Sequence, residues 1–122
     1  MLFRSHATKD QVLLARCRDL TDRLLPAFTK SATGAPWRFV NLRTGAVSGQ
    51  QNFLAEIGSN VTELGDLSIL TGDPKYLQAA KKAQAAVINR RSSLDLLGTT
   101  MDVQTGAWVD TTASIDPPDD SF

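Results

Sequence analysis

The sequence is poor in the residues that build several common kinds of site. Its 122 residues include one cysteine and one histidine, so an internal disulfide and a histidine-rich zinc site are both excluded. The 13 basic and 13 acidic side chains give a formal net charge of zero. That balance leaves no electrostatic footprint for a nucleic acid or an anionic membrane, and we expect no nucleic-acid partner.

Long apolar runs are also lacking. No stretch approaches the roughly 20 apolar residues that a membrane-spanning helix needs, so we expect no membrane segment. Residues 1–11 contain an arginine and a lysine but no apolar core of a signal peptide. With 42% hydrophobic and 21% charged residues, the composition is typical of a folded protein. The length predicts a single domain over residues 1–122.

Helical periodicity is the main feature that is present. Thr8 and Gln11 form a T-x-x-Q capping box that predicts a helix start. An apolar stripe with a period near 3.6 residues follows the box. The stripe consists of Leu13, Cys17, Leu20 and Leu24. Pro26 predicts that this helix ends there, or that the proline falls in its last turn.

Two more helices are predicted in the middle of the chain, over residues 53–70 and 74–91. Gly72 between them suits the left-handed position that follows a helix. Asp73 and Pro74 suit the start of the next helix. Because the connection is short, the two helices are predicted to form an antiparallel αα-hairpin.

An eight-residue pattern occurs twice, at residues 40–47 (VNLRTGAV) and 101–108 (MDVQTGAW). A Thr-Gly pair between short apolar runs predicts a β-hairpin turn, so we expect hairpins at residues 39–48 and 100–109. A helix precedes each copy, which indicates a repeated helix–hairpin unit. The predicted fold class is all-α: a series of αα-hairpins, too few to close a ring, with two small β-hairpins.

Glu56, Asn60 and Glu63 are the strongest candidates for a polar site. Seven residues separate the two glutamates, so on a continuous helix they share one face with Asn60 between them. Paired carboxylates are what glycoside hydrolysis needs, since one protonates the leaving oxygen and the other activates water or attacks the sugar. A solvated helix face has the same spacing, and the spacing alone favours that alternative.

Two other polar groups have competing interpretations. Asp116, Asp119 and Asp120 could be metal ligands, but they lack an EF-hand pattern and are more typical of a loop. Residues 60–62 (NVT) match the N-glycosylation sequon, but the helix predicted around them favours a chance match.

Several short segments match one known pattern in their order and spacing. They are DRLLPAF at 22–28, TGAP at 33–36, VNL at 40–42, LAEIG at 54–58, TELGD at 62–66, LSILTGDPKY at 67–76 and DSF at 120–122. The LSILTGDPKY segment is the most specific. Together the segments resemble glycoside hydrolase family 47, the α-1,2-mannosidases, and are most similar to its EDEM-type and bacterial members.

The resemblance implies a barrel of seven αα-hairpins, of which this chain would form about two as a fragment. It implies an inverting, calcium-dependent hydrolase that removes terminal α-1,2-linked mannose from N-glycan-type oligosaccharides or glycoproteins. It also suggests the secretory pathway, the bacterial periplasm or the cell exterior. The alternative is a non-catalytic helical-repeat module that binds a protein or a mannose-rich glycan.

The resemblance further implies roles for three residues. Glu63 matches the glutamate of the family's Glu-Phe-x-x-Leu-Ser segment, although Leu64 stands where the family usually has phenylalanine. Asp120 matches the aspartate of its Asp-Ser-Phe/Tyr-Tyr-Glu-Tyr segment, a candidate catalytic base. Glu56 matches the glutamate of its Ala-Glu segment, for which we expect a substrate-binding role. The family's general acid and calcium ligands have no match in these residues, so we expect the 122-residue chain alone to be inactive.

Overall fold

The computed structural model describes residues 10–117 and 119–122. They form one helix, then three short strands, then three helices and finally two more short strands. The helices are α1 (Gln11–Thr29), α2 (Leu54–Gly58), α3 (Val61–Thr71) and α4 (Lys75–Ile88). The strands are β1 (Phe39–Val40), β2 (Val47–Ser48), β3 (Gln51–Phe53), β4 (Thr100–Asp102) and β5 (Trp108–Asp110). In this part of the chain, no helix is both long enough and apolar enough to span a bilayer.

Helix α1 begins at a different cap from the predicted one. Asp10 is the N-cap, and its Oδ1 accepts hydrogen bonds from two backbone N–H groups of the first turn, at 2.9 and 3.2 Å. The predicted cap, Thr8, lies outside the described residues, and its predicted partner Gln11 is the first helical residue. Aspartate is among the best N-caps, so a helix can start directly after it. Pro26 lies in the last turn, as one of the two predicted outcomes has it.

The buried face of α1 is rotated slightly from the predicted stripe. Leu20 is 41% exposed, whereas Thr21 is buried at 8% exposure. Cys17 and Phe28 are buried as well, so the face still recurs at helical spacing. The prediction that Leu20 belongs to the apolar face was therefore wrong in detail, while the amphipathic helix itself is confirmed.

The predicted hairpin between the second and third helices is confirmed as α3 and α4. Gly72 follows α3 in the left-handed conformation, with φ of 72°, and Asp73 Oδ1 accepts a hydrogen bond from the Lys75 N–H at 3.1 Å. On α4, a stripe of small residues lies in the core and allows close packing. It consists of Ala80, Ala83, Ala86 and Val87, none more than 5% exposed.

The prediction of one continuous helix over residues 53–70 was wrong. Residues 59 and 60 interrupt it and separate α2 from α3. Gly58, Ser59 and Asn60 in succession are all weak helix formers. In addition, the Asn60 side chain donates a hydrogen bond from Nδ2 to the Glu56 carbonyl oxygen at 2.8 Å. Such side-chain bonds compete with the regular backbone ladder, and the chain turns there.

Both predicted β-hairpins are present, but the second belongs to a larger sheet. Strands β1 and β2 form an antiparallel pair with Val40 opposite Val47. Strand β4 pairs with β5 and also with β3, which places Asn52 opposite Met101. The sequence analysis did not predict β3, so the description as two isolated hairpins was incomplete.

The two repeated turns have the same hydrogen bonds. In the first, the Gly45 N–H donates to the Asn41 carbonyl at 2.7 Å. Asn41 Oδ1 accepts from the backbone N–H groups two and three residues further along the chain, at 2.9 and 3.1 Å. In the second, Gly106 and Asp102 make the same set at 2.8, 2.9 and 2.9 Å. Both glycines have positive φ, 69° and 76°, which explains their place in the repeat.

Candidate functional site

A closed polar network joins α1 to the start of α4. The Tyr76 hydroxyl donates to Asp22 Oδ1 at 2.9 Å, and Lys75 Nζ lies 2.8 Å from the same oxygen. Lys75 also pairs with Asp73 at 3.3 Å. Burial opposes the ionisation of Asp22, but the hydrogen bonds from Lys75 and Tyr76 hold its pKa below the ordinary value. The charged residues at the end of the LSILTGDPKY segment therefore bind α1 to α4.

Two adjoining cavities lie where α1 faces the break between α2 and α3. The first, the Glu56 cavity, has a volume of about 400 Å³ and is lined among others by Trp37, Arg38 and Glu56. The second, the Glu63 cavity, has a volume of about 230 Å³ and is lined among others by Cys17, Thr21 and Glu63. Leu24 and Asn60 line both cavities. The break at Asn60 thus puts one glutamate at each cavity.

Glu56 is oriented by an arginine that the sequence analysis did not single out. Arg38 Nε lies 3.4 Å from Glu56 Oε2, and the two side chains are 36% and 46% exposed. The Arg38 guanidinium also lies 4.5 Å from the centroid of the Phe53 ring and 5.4 Å from that of Phe39. Cation–π contacts of this kind hold a guanidinium in place. The ion pair is exposed, so its contribution to stability is about 0–1 kcal/mol, and a polar ligand can replace it.

Glu63 presents a different arrangement. It lies in the first turn of α3 and is exposed. Among residues 10–117 and 119–122, its carboxylate has no hydrogen-bond or ion-pair partner. Its cavity has mostly apolar walls, including Leu20, Leu24 and Leu64. A negative charge beside such a wall is available to a ligand and not committed to the fold.

Asp120 is exposed, but the residues around it are anchored. Asp119 is 6% exposed, and its Oδ2 accepts hydrogen bonds from Thr99 Oγ1 at 2.8 Å and from Ser114 Oγ at 3.0 Å. The Phe122 ring lies against Gly58, the last residue of α2. The structure therefore brings the segment with Asp120 to the helix that carries Glu56. The catalytic roles of Glu63 and Asp120 and the binding role of Glu56 stay predictions.

The three C-terminal aspartates do not gather around one point. Asp119 is directed to Thr99, whereas Asp116 and Asp120 are exposed. Across the described part of the chain, no three His, Cys, Asp or Glu side chains are placed to hold a metal ion. The described residues thus do not fit a calcium cage.

The sequon at residues 60–62 begins in a turn and continues into α3, so the expectation that it lies inside a helix was wrong only for its asparagine. Asn60 is in the turn between α2 and α3, and its amide is bonded to the Glu56 carbonyl. A signal for Arg38 was present in the sequence, because it stands between Trp37 and Phe39 directly after Pro36. Thr99 gave no such signal.

Comparison with known proteins identifies the class to which this chain belongs. The structure resembles that of an α-1,2-mannosidase from Trichoderma reesei with a TM-score of 0.81 and 35% sequence identity, over 90% of this chain and 24% of that one. This chain therefore has the fold of about a quarter of that α-1,2-mannosidase. The model of glycosyl hydrolase family 47 matches residues 2–122. The chain belongs to this family.

Curated relatives agree with this assignment. An Arabidopsis thaliana protein named alpha-mannosidase I MNS5 is 45% identical over 112 residues, which are 90% of this chain and 19% of that protein. The human ER degradation-enhancing alpha-mannosidase-like protein 2 is 38% identical over the same share of this chain and 19% of its own length. The chain thus spans about a fifth of the length of these relatives.

Proposed function

We propose that this chain forms part of the substrate-binding and catalytic surface of an inverting α-1,2-mannosidase that removes terminal mannose from N-glycan-type oligosaccharides. The observation that carries the proposal is the pair of adjoining cavities, each with one glutamate, in a chain of family 47. We also propose that the helices correspond to about two of the seven αα-hairpins of a complete barrel. The TM-score of 0.81 against a quarter of a relative supports this placement.

The Glu56 cavity has the character of a sugar-binding surface. Small-molecule sites combine apolar or aromatic walls with a few polar groups that fix orientation. Here the walls include Trp37 and Phe39, and the polar groups are Arg38, Glu56 and Asn60. The arginine and the glutamate supply a donor and an acceptor side by side, as vicinal sugar hydroxyls require. Glu56 in this proposal binds substrate and takes no part in proton transfer.

The proposed catalytic groups are Glu63 and Asp120. In an inverting reaction one carboxyl group protonates the leaving oxygen while a carboxylate on the other side of the sugar deprotonates the attacking water. Asp120 is proposed as that base, since it is exposed and its segment lies against α2. Glu63, with no partner among the described residues, is proposed to contact the reacting sugar. The general acid and a bound calcium ion are proposed only for the complete protein.

The test is hydrolysis of α-1,2-mannobiose by the protein as its natural gene produces it. We expect Asp120→Asn to lower kcat by about 100-fold or more, the scale of general acid–base effects. We expect Glu63→Gln to lower kcat by about 100-fold as well, the scale of losing one group that stabilises the transition state. Asp66→Asn is the matched control for Glu63, because it lies three residues further along α3 and should keep the wild-type rate. Proton NMR of the first product should show β-mannose, as inversion requires.

Three results would count against the proposal. Wild-type kcat in Glu63→Gln and Asp120→Asn would remove their catalytic roles. A first product with retained α configuration would contradict inversion. Binding of mannobiose by the wild-type protein without turnover would support the non-catalytic module instead.

A further inference from the structure

The segment that carries Asp120 also contains an aspartate whose burial needs an explanation. Asp119 is 6% exposed, and its Oδ1 is buried without a hydrogen-bond partner among the described residues. Burying an unpartnered carboxylate oxygen is unfavourable, and an apolar side chain of similar size would avoid that penalty. The bonds of the other oxygen, to Thr99 and Ser114, therefore explain this residue better than packing does.

Thr99 connects three parts of the molecule. Its N–H donates to the Asp110 carbonyl of β5 at 3.1 Å, and its own carbonyl accepts from the N–H of Leu54, the first residue of α2, at 2.9 Å. Its hydroxyl lies 2.8 Å from Asp119 Oδ2 and 2.7 Å from the Thr112 carbonyl. Thr99 is itself buried at 9% exposure. The C-terminal segment is thus bonded to the residue that fixes the start of the Glu56 helix.

A second contact holds the chain on the other side of Asp120. The Phe122 ring occupies the space that a side chain on Gly58 would need. Gly58 ends α2, so the contacts of Asp119 and Phe122 connect the C-terminal segment to the beginning and the end of the same short helix. Asp120 lies between them with its side chain exposed. Its backbone is held from both sides while its carboxylate stays accessible.

We propose that Thr99 and Asp119 are positioning residues that hold Asp120 at α2 in the orientation needed to take a proton from water. This inference rests on the proposed function, in which Asp120 is the base. Catalysis depends steeply on placement, and a displacement of about 1 Å can lower a rate about 100-fold. A single hydrogen bond between Thr99 and Asp119 is therefore sufficient to affect turnover.

The test compares Thr99→Val, which keeps the side-chain shape and removes the donor, with Thr99→Ser, which restores the donor. In the natural protein acting on α-1,2-mannobiose, we expect Thr99→Val to lower kcat at least tenfold, with KM changed less than about threefold. Thr99→Ser should stay within about threefold of the wild-type kcat. Thr29→Val is the matched control, since its hydroxyl bonds only within α1.

Variants at the other end of the bond give an independent measurement. Asp119→Leu removes the acceptor and should lower kcat as Thr99→Val does, whereas Asp119→Asn keeps an acceptor oxygen and should retain most of the rate. The double variant should be slowed by less than the product of the two single effects, because the bond between Thr99 and Asp119 is removed in both. If Thr99→Val does not fold, the comparison of Asp119→Leu with Asp119→Asn tests the positioning role instead.

The outcomes separate this inference from the proposed function. Wild-type kcat in Asp119→Leu, or in a folded Thr99→Val, overturns the positioning role. Wild-type kcat in Asp120→Asn overturns the role of Asp120 as base, whatever Thr99 does. If no variant or wild-type protein turns over substrate, NMR still decides: the backbone chemical shifts of Asp120 should change in Thr99→Val and stay at the wild-type values in Thr99→Ser. Unchanged shifts in Thr99→Val contradict the inference.

Discussion

Two polar regions of this molecule use carboxylates in opposite ways. At the junction of α1 and α4, Asp22 accepts from both Lys75 and Tyr76, and every charge has a partner within the network. At the paired cavities, Glu63 has no partner among the described residues, and Glu56 has only the exposed Arg38. The first region, which we call the anchor, is complete by itself. The second, which we call the open site, leaves the Glu63 carboxylate without a partner among the described residues.

The difference shows why a strong sequence motif need not carry function. The LSILTGDPKY segment is the most specific part of the resemblance, yet its charged residues Asp73 and Lys75 are used for helix entry and for the anchor. The residues of the open site come from less specific segments. We therefore expect mutations in the anchor to change stability and mutations in the open site to change binding and rate.

The largest effect on stability is expected at the anchor. Asp22→Ala leaves the hydroxyl of the fully buried Tyr76 without an acceptor, at a cost of about 1–3 kcal/mol. Urea unfolding followed by circular dichroism measures this change. The rate per folded molecule should stay at the wild-type level. A loss of rate without a loss of stability would contradict the structural role of Asp22, since it would assign Asp22 to the open site.

The anchor should also respond to pH. The pKa of Asp22 is lowered in the folded state, so its contribution to stability is present above the unfolded pKa of about 3.9 and is lost as the pH falls through the folded pKa. The free energy of unfolding of wild-type protein should thus approach that of Asp22→Asn below about pH 4. A difference that is the same at pH 7 and at pH 3 would contradict this.

A control for the pH series is available on the same helix. Among the described residues, Asp19 pairs with Arg23 one turn away and with no other side chain, and both side chains are more than half exposed. Exposed pairs of this spacing contribute about 0.3–0.5 kcal/mol. Asp19→Asn should accordingly change the free energy of unfolding at neutral pH less than Asp22→Asn does.

The smallest effect on stability is expected at Arg38. Its pair with Glu56 is exposed, so Arg38→Gln should change the free energy of unfolding by less than about 1 kcal/mol. Binding of mannobiose should weaken about tenfold, the equivalent of about 1.4 kcal/mol, because the guanidinium lines the Glu56 cavity. Calorimetric titration measures the affinity. Unchanged affinity would remove Arg38 from the open site.

Much of the helical framework could be predicted from local patterns. The Thr44-Gly45 and Thr105-Gly106 turns depend on a left-handed glycine and an Asx side chain, which are visible in the sequence and recur with the same bonds. The break at Ser59 and Asn60 was also signalled by weak helix formers, but the apolar periodicity on either side concealed it. Helix propensity is a weak guide when periodicity is strong.

The features that could not be predicted from the sequence depend on contacts between residues far apart in the chain. Strand β3 forms because Asn52 pairs with Met101, far along the chain, and nothing in residues 51–53 alone indicates a partner. The bond between Thr99 and Asp119 likewise depends on how the sheet presents Thr99. The candidate glutamates could be chosen from their spacing and the family resemblance, but their division between two cavities follows only from the turn at Asn60.

The most direct test measures rate and stability together in two variants of the natural protein, Glu63→Gln and Asp22→Ala. We expect Glu63→Gln to lower mannobiose turnover by about 100-fold with an unchanged free energy of unfolding. We expect Asp22→Ala to unfold about 1–3 kcal/mol more easily with an unchanged rate per folded molecule. If Glu63→Gln keeps its rate, or if both variants lose rate and stability in parallel, the separation between an open site and a structural anchor is contradicted.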